Sequence, residues 1–396
     1  MISAAARPYI DASVPVLRAH GLAITTTFYR NMFVAHPELT SLFNMGNQAS
    51  GAQQQSLAGA VFAYAANIGN TDALGPVIER IVQKHLSVGI RADHYPIVGQ
   101  YLIGAIKEIL GDAATAPLLA AWVEAYDSLA NVFIAAEKKG YAEAGITPGA
   151  LRPLRVTQRS HESKGVDAFT LEPVDGLPLA TCKPGQYISV AVDFADGRHQ
   201  LRQFSLSDAP DSKQWRITVK REAAGEATPA GEVSNWIHDH VTVGSTVLAT
   251  HPFGEFLPDT DSSEPVVLLS AGVGITPMIA TLNRIAQVRP GRQVLFAHAA
   301  RDRAHHAHQR DIAAAQALMP HLQVVTFYAT PSNDDARTGL MDITALPDWP
   351  HTEANVYLCG PAGFMKAQWQ ALVAAGVPVT RLHREVFGPD LLDMLV

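Results

Sequence analysis

The spacing of apolar residues changes twice along this chain, and one core cannot satisfy all three patterns. In the first third, apolar residues recur at helical intervals. Ile10, Val14, Leu17, Ile24 and Phe28 share one stripe; Leu57, Val61, Tyr64 and Ile68 a second; Ile78, Ile81 and Val82 a third. Tyr95, Val98, Leu102, Ile106 and Ile109 form a fourth, and Leu118, Trp122, Tyr126, Leu129 and Phe133 a fifth. From Leu154 the period becomes two, over Arg155–Gln158, Ala168–Leu171, Gln186–Val192, Leu201–Leu206, Trp215–Val219 and Thr246–Ala249. From Pro265 short apolar strands, Pro265–Ser270, Val294–Ala297, Val324–Tyr328 and Asn355–Leu358, alternate with helical segments. Such alternation implies a parallel sheet. The expected architecture is multidomain: an all-α unit over 1–138, a linker over 139–150, an antiparallel β-barrel over 151–262, and an α/β parallel-sheet unit over 263–396. The linker is placed where Lys138 to Gly149 interrupts the helical pattern.

A chain of 396 residues accommodates three such units. Its net charge of −7 argues against nucleic acid or an anionic membrane as partner. The longest apolar runs, such as Val266–Leu269, fall far short of a membrane span, so no integral membrane contact is expected. No leader is expected around Arg7, Pro8 and Asp11. Cys182 and Cys359 lie far apart, which suits a reducing cytoplasm.

Several polar residues interrupt the helical stripes. His85 continues the Ile78–Ile81–Val82 face, Gln53 sits one turn before Leu57, and Glu137 continues the stripe ending at Phe133. His85 reads as a satisfied core histidine or as a ligand, and Glu137 as a helix-end residue or as the partner of a buried donor. In the strand region, Arg202, Phe204 and Ser205 place a cation, a ring and a hydroxyl within four residues. These suit a phosphate, a flat heterocycle and its nitrogen. Pro184-Gly185-Gln186-Tyr187 precedes a strand, and Gly231-Glu-Val233-Ser234-Asn235 reads as a glycine-to-helix phosphate site. Singly, Tyr187 and Ser234 read equally as barrel packing and an N-cap. In the last third, Ala271-Gly272-Val273-Gly274-Ile275-Thr276-Pro277 joins a strand to a helix, the context in which Gly-x-Gly binds phosphate rather than making only a turn. Cys359-Gly360-Pro361 follows another strand, where open α/β sheets bind ligands, although a buried strand-end cysteine looks the same in sequence. The run His305-His306-Ala-His308 reads as a solvent loop or helix start without a matching carboxylate cluster, and not as a metal site.

Together with Phe28-Tyr29-Arg-Asn-Met-Phe33, His36-Pro37-Glu38-Leu39, Phe43-Asn44-Met45, Gln53-Gln54-Gln55-Ser-Leu57, Lys84-His85 and Tyr95-Pro96-Ile-Val-Gly99, these motifs resemble the bacterial flavohaemoglobin family across the whole chain. The resemblance implies a globin holding haem b, with His85 as proximal iron ligand and Phe43 on the porphyrin. Tyr29 would be the distal donor to bound oxygen, beside Gln53 and Leu57. Tyr95 and Glu137 would form a proximal network with His85; a carboxylate there raises ligand basicity and favours O–O activation over storage.

For FAD the resemblance implies Arg202 on the diphosphate, with Gln203 beside it, and Ser205 near the reactive flavin nitrogen. Tyr187 and Phe204 would flank the ring and ribityl chain, with Val233 and Ser234 at the phosphates. Phe204 departs from the tyrosine usual in that family. In the terminal His383-Arg384-Glu385-Val386-Phe387-Gly388-Pro389, Val386 to Pro389 would complete the flavin site, Phe387 covering the ring until nicotinamide displaces it. Glu385 would sit between flavin and haem, paired with Lys84. Residues Ala271 to Pro277, with Cys359, Gly360 and Pro361, would bind NAD(P)H. The implied activity is an NAD(P)H-dependent nitric oxide dioxygenase. It would be a cytoplasmic monomer turning O₂ and NO into nitrate. A haem-flavin reductase of alkyl hydroperoxides, quinones or ferric iron is the alternative enzyme, and an oxygen or redox sensor the non-enzyme alternative.

Overall fold

The computed structural model describes residues 2–225, 228–331 and 336–389, and of residues 71–73 the backbone alone. The chain begins with six α-helices: α1 (Arg7–Ala35), α2 (Met45–Ala49), α3 (Ala52–Ala66), α4 (Thr71–Val88), α5 (His94–Leu110) and α6 (Ala116–Ala144). Ile10, Ile24, Phe28 and Met32 of α1 meet Leu102 and Ile106 of α5 and Trp122 of α6 in one core. Burial of such side chains contributes about 1.5–3 kcal/mol each. Helix α5 approaches α6 closely because Gly99 has no side chain; a Cβ there would lie 2.6 Å from the Tyr126 ring.

Two expectations are corrected by α6. The helix does not stop near Lys138 but runs to Ala144 and ends at Gly145, whose positive φ of 66° makes the left-handed cap. Gly140, which reads as a breaker, is a packing contact instead: a Cβ there would meet Leu86 Cδ1 at 2.6 Å. Tyr141, buried, anchors the extra turn by donating to the Ile90 carbonyl (2.9 Å). The same helix is also long and apolar enough to cross a membrane by length and composition. It packs on α1, α4 and α5, and Trp122, Phe133 and Glu137 are among its buried residues.

A six-stranded antiparallel sheet follows: β1 (Arg152–Ser163), β2 (Val166–Pro173), β3 (Tyr187–Asp193), β4 (His199–Ser205), β5 (Trp215–Lys220) and, after α7 (Glu232–His240), β6 (Thr246–Ala249). Its strand order is β4-β3-β6-β1-β2-β5. A bridge between Leu206 and Ile217 joins the two ends, closing a barrel around Leu154, Phe169, Ile188, Trp215 and Val219. Register pairs Tyr187 with Ser205 and Ile188 with Phe204.

The last unit comprises β7 (Val266–Ala271), α8 (Ile275–Val288), β8 (Val294–Ala300), α9 (Gln309–Leu318), β9 (Leu322–Tyr328), β10 (Arg337–Thr338), β11 (Asn355–Cys359), α10 (Ala362–Ala374) and β12 (Leu382–Glu385). All pairings are parallel, in the order β10-β9-β8-β7-β11-β12. The chain leaves β7 toward β8 and returns to its other side as β11, so the carboxyl ends of β7 and β11 open a crevice. Apolar clusters cover both faces of the sheet. Strand β12 is too polar to read as a strand, because it is the edge of the sheet.

The helical unit is tied to the barrel by buried contacts. Ser189 Oγ donates to the Ser87 carbonyl (2.6 Å), and both serines are fully buried. Arg80 and Glu255 pair at 2.8 Å, and the Gly254 N–H donates to Gln83.

Candidate active site

A continuous cavity of about 1060 Å³ begins among the helices, passes under the barrel and reaches the glycine turn after β7. His85, near the end of α4, lines it. The His85 Nδ1–H donates to Glu137 Oε1 (2.6 Å), which also accepts from the Tyr95 hydroxyl (2.5 Å). Glu137 is only 2% exposed. Tyr95 is fixed through the helix packing described above, since the Tyr126 hydroxyl donates to its carbonyl (2.6 Å). Burial, and then the bond to the Glu137 carboxylate, push the Tyr95 phenol well above its ordinary pKa, so it stays a donor. With Nδ1 taken, Nε2 is the nitrogen left for the cavity.

On the opposite wall Tyr29 of α1 is buried, with Phe43 edge-on at 5.6 Å and Leu57 nearby. Gln53 Nε2 donates to the Tyr29 oxygen (3.4 Å), which leaves the phenol proton free to point into the cavity. Burial, opposed in part by that bond, raises the Tyr29 pKa.

The barrel side of the cavity carries Tyr187, Arg202, Gln203, Phe204 and Ser205, with Val233 and Ser234 from the first turn of α7. The Tyr187 hydroxyl is buried with no hydrogen-bond partner among the described residues. Burial, and then the Glu385 charge, raise its pKa. Desolvation pulls the Arg202 guanidinium down to about 10. Arg202 donates to Asn44 Oδ1 of the helical unit (3.0 Å). A half-buried cation and an orphaned phenol beside a helix start suit an anionic, hydrogen-bonding ligand.

At the far end, Val273 and Thr276 line the cavity. Gly272 holds a positive φ of 55°, and Gly274 presses on the Cys359 carbonyl, where a Cβ would sit 2.4 Å away. The turn holding Ala271, Ile275 and Pro277 and the loop at Gly360 and Pro361 are therefore in contact at the β7–β11 crevice. Cys359 is fully buried, its thiol pushed well up by burial and then by the Glu385 charge. Glu385, Val386, Phe387, Gly388 and Pro389 line the middle of the cavity, with Phe387 45% exposed. Lys84 Nζ donates to the Gly388 carbonyl (2.7 Å), which ties α4 to this segment.

Comparison with known proteins decides the family. A globin model matches residues 26–133, and an oxidoreductase NAD-binding domain model residues 268–370. The flavohemoprotein of Rhizobium meliloti is 42% identical over 99% of both chains, and that of Chromobacterium violaceum 45% identical over 98% of both. A flavohemoglobin from Malassezia yamatoensis, solved with bound FAD and haem, superposes with a TM-score of 0.87. It is 31% identical and covers 98% of this chain and 100% of that one. The chain belongs to the flavohaemoprotein family. It is an NAD(P)H-dependent oxidoreductase with haem and FAD as cofactors. A further similar structure is the Flavohem-like FAD/NAD binding domain of nitric oxide dioxygenase from Vibrio cholerae. It is 35% identical with a TM-score of 0.57, covering 60% of this chain and 99% of that one.

The fit of these groups to this flavohaemoprotein rests on the residues already placed. A cavity-facing imidazole with a buried anionic partner suits haem iron, and the Arg202–Tyr187 wall suits FAD. Three contributors were not singled out from sequence: Asn44, which receives Arg202; Arg80, which lines the cavity; and the Ser87–Ser189 contact. Arg80 was findable, since it lies four residues before Lys84 on the same helical face.

One sequence reading is overturned. His306 and His308 are buried, not on a solvent loop, and carboxylates do accompany them: Glu162, His308 and Asp311 offer ligand atoms within 4.8 Å of one another. Each of the three already has a partner: Glu162 accepts from Ser160 Oγ (2.8 Å), Asp311 pairs with Arg216 (2.9 Å), and His308 bonds Asp311 through Nδ1 (2.8 Å) and Thr218 through Nε2 (3.0 Å).

Proposed function

We propose that this flavohaemoprotein is a nitric oxide dioxygenase. The observation that carries the reading is the Glu137 carboxylate, buried and 2.6 Å from His85 Nδ1. An anionic partner makes the imidazole a stronger donor to iron, which suits oxygen activation rather than oxygen storage. When bound, the haem would supply the iron for O₂ and NO, and FAD would supply the passage from a two-electron donor to one-electron steps. Each NAD(P)H provides the two electrons with which two NO and two O₂ become two nitrates, and one proton is released.

The residues of this chain bind and orient. His85 holds iron, with Glu137 and Tyr95 fixing its ring. Tyr29 donates its proton toward charge developing in the distal pocket, held by Gln53, while Phe43 and Leu57 keep that pocket dry. Arg202, with Gln203, holds the diphosphate, and Val233 and Ser234 present backbone N–H groups to it. Tyr187 and Ser205 bond the flavin, Phe204 stacks on it, and Val386 to Pro389, Phe387 foremost, cover it. The turn from Ala271 to Pro277 and the loop Cys359, Gly360, Pro361 seat the nicotinamide nucleotide. Lys84 and Glu385 stand between flavin and haem. The Vibrio cholerae structure named for the same activity supports the reading. We place the protein in the cytoplasm, where its two free thiols, Cys182 and Cys359, persist.

The test is NO removal by the holoprotein under air with NADH, followed at an NO electrode beside turnover of an alkyl hydroperoxide. Faster removal of NO is the expected result. Loss of NO no faster than in buffer, with rapid peroxide turnover, overturns the proposal in favour of a peroxide reductase.

A further inference from the structure

His308 is the one non-glycine residue with positive φ among the described residues (59°), and it is fully buried. A side chain held in that strained region and out of water is over-determined by its surroundings. Its two ring nitrogens face different units. Nε2 bonds Thr218 Oγ1 of barrel strand β5 (3.0 Å), and Nδ1 bonds Asp311 Oδ2 of α9 (2.8 Å). Asp311 Oδ1 in turn accepts from Arg216 of β5 (2.9 Å) and from Asn283 of α8 (3.1 Å). The Thr218 hydroxyl is also bonded to Ser207 (2.8 Å), two residues beyond Ser205. Beside this network the Lys164 N–H donates to the Ala304 carbonyl (2.7 Å), a second link from barrel to nucleotide unit.

Two rigid elements carry this clasp into the cavity. On the barrel side, Thr218 and Ser205 line the cavity themselves. On the other side, Asn283 lies on α8 two turns beyond Thr276, about 10 Å along one helix. Thr276 and Val273, at the start of that helix, line the same cavity. The clasp therefore fixes α8 and its glycine turn against the strands that wall the flavin pocket.

We propose that His308 is a positioning residue for hydride transfer. It sets the approach of the nicotinamide to the flavin by locking the angle between the two units. The hydride takes two electrons and one proton from dihydronicotinamide to flavin, leaving oxidised nicotinamide and reduced flavin. A misplacement near 1 Å at such a step costs roughly a hundredfold in rate. The inference rests on NAD(P)H reducing FAD and is independent of what the haem does with the electrons.

The test is rapid anaerobic mixing of full-length holoprotein, wild type and His308→Ala, with NADH, following flavin bleaching. Light-driven reduction of the flavin is used separately to time electron arrival at the haem. The proposal expects flavin reduction at saturating NADH to slow roughly tenfold to a hundredfold. Half-saturation by NADH and the flavin-to-haem step should stay as in wild type. His308→Asn, which tolerates positive φ and can keep the Asp311 bond but is too short for Thr218, should recover part of the rate. Asp311→Leu removes both carboxylate oxygens of the clasp at similar volume, and should show the same selective slowing if His308→Ala does not fold. Wild-type flavin reduction in the folded variants, or equal slowing of both electron steps, would overturn the proposal.

Discussion

Glu137 shows how much one side chain decides. A carboxylate 2% exposed is costly alone, and its cost is met by two donors, His85 and Tyr95. Tyr29 is the counterpart across the cavity: Gln53 donates to it and frees its own proton. A hydrogen bond to a charged group contributes about 1.5–3 kcal/mol. Tyr29→Phe is therefore expected to speed O₂ dissociation from the ferrous protein by roughly tenfold to a hundredfold. Stopped-flow displacement by CO measures this, and an unchanged rate would remove Tyr29 from the distal role. Phe204 is a second residue-level case. It packs on the barrel core and lines the barrel side of the cavity without a hydroxyl. Phe204→Tyr is expected to tighten FAD by no more than about tenfold, the worth of one neutral hydrogen bond. Fluorescence titration of the apoprotein checks it, with equal retention as the contrary result.

Elements explain what the sequence did and did not make legible. The strands of the barrel and the four central parallel strands were readable, because alternation and apolar runs report directly on burial. Helix α6 was cut short because Gly140 looks like a breaker until Leu86 is seen packed against it. Strand β12 was missed because an edge strand needs no apolar run. Of the site, the residues with their own pattern are readable, but the Ser87–Ser189 contact joins segments that carry no mark in sequence, and the motif Phe43-Asn44-Met45 does not tell that Asn44 meets Arg202. The histidine run after β8 looked solvated because its partners, Tyr328 and Thr218, are far along the chain.

Those histidines also set an acid limit on the α/β unit. Burial, and then the His308 and Arg303 charges, pull His306 down to about 4, while His298 lies well below its ordinary value for the same first reason. The unfolded state takes up these protons near pH 6.5 and the folded state does not. Stability is thus complete above pH 6.5 and is lost as pH falls toward 4. For His306 alone the loss is about 2 kcal/mol between pH 7.5 and 5. Urea midpoints at both pH values should show it, and His306→Gln should shrink the difference; the same slope in both proteins would contradict the assignment.

At the scale of the whole molecule, three units share one cavity, so electron flow depends on how they are docked. Arg80 and Glu255, each largely buried, hold the helical unit on the barrel beside Lys84 and Gly388. Arg80→Ala leaves Glu255 without that partner and loosens the dock. The expected result is haem reduction slowed several-fold with flavin reduction by NADH unchanged, read at the two absorption bands in one stopped-flow experiment. Slowing of both bands together would place the fault elsewhere.

On the proposed function, nicotinamide electrons end in the reduction of oxygen that turns NO into nitrate. The direct measurement is nitrate formed per NADH oxidised when the holoprotein turns over with NO under air. Two nitrates for each NADH are expected, with nitrate production falling in Tyr29→Phe. Oxidation of NADH without nitrate, or at a rate indifferent to NO, would contradict it.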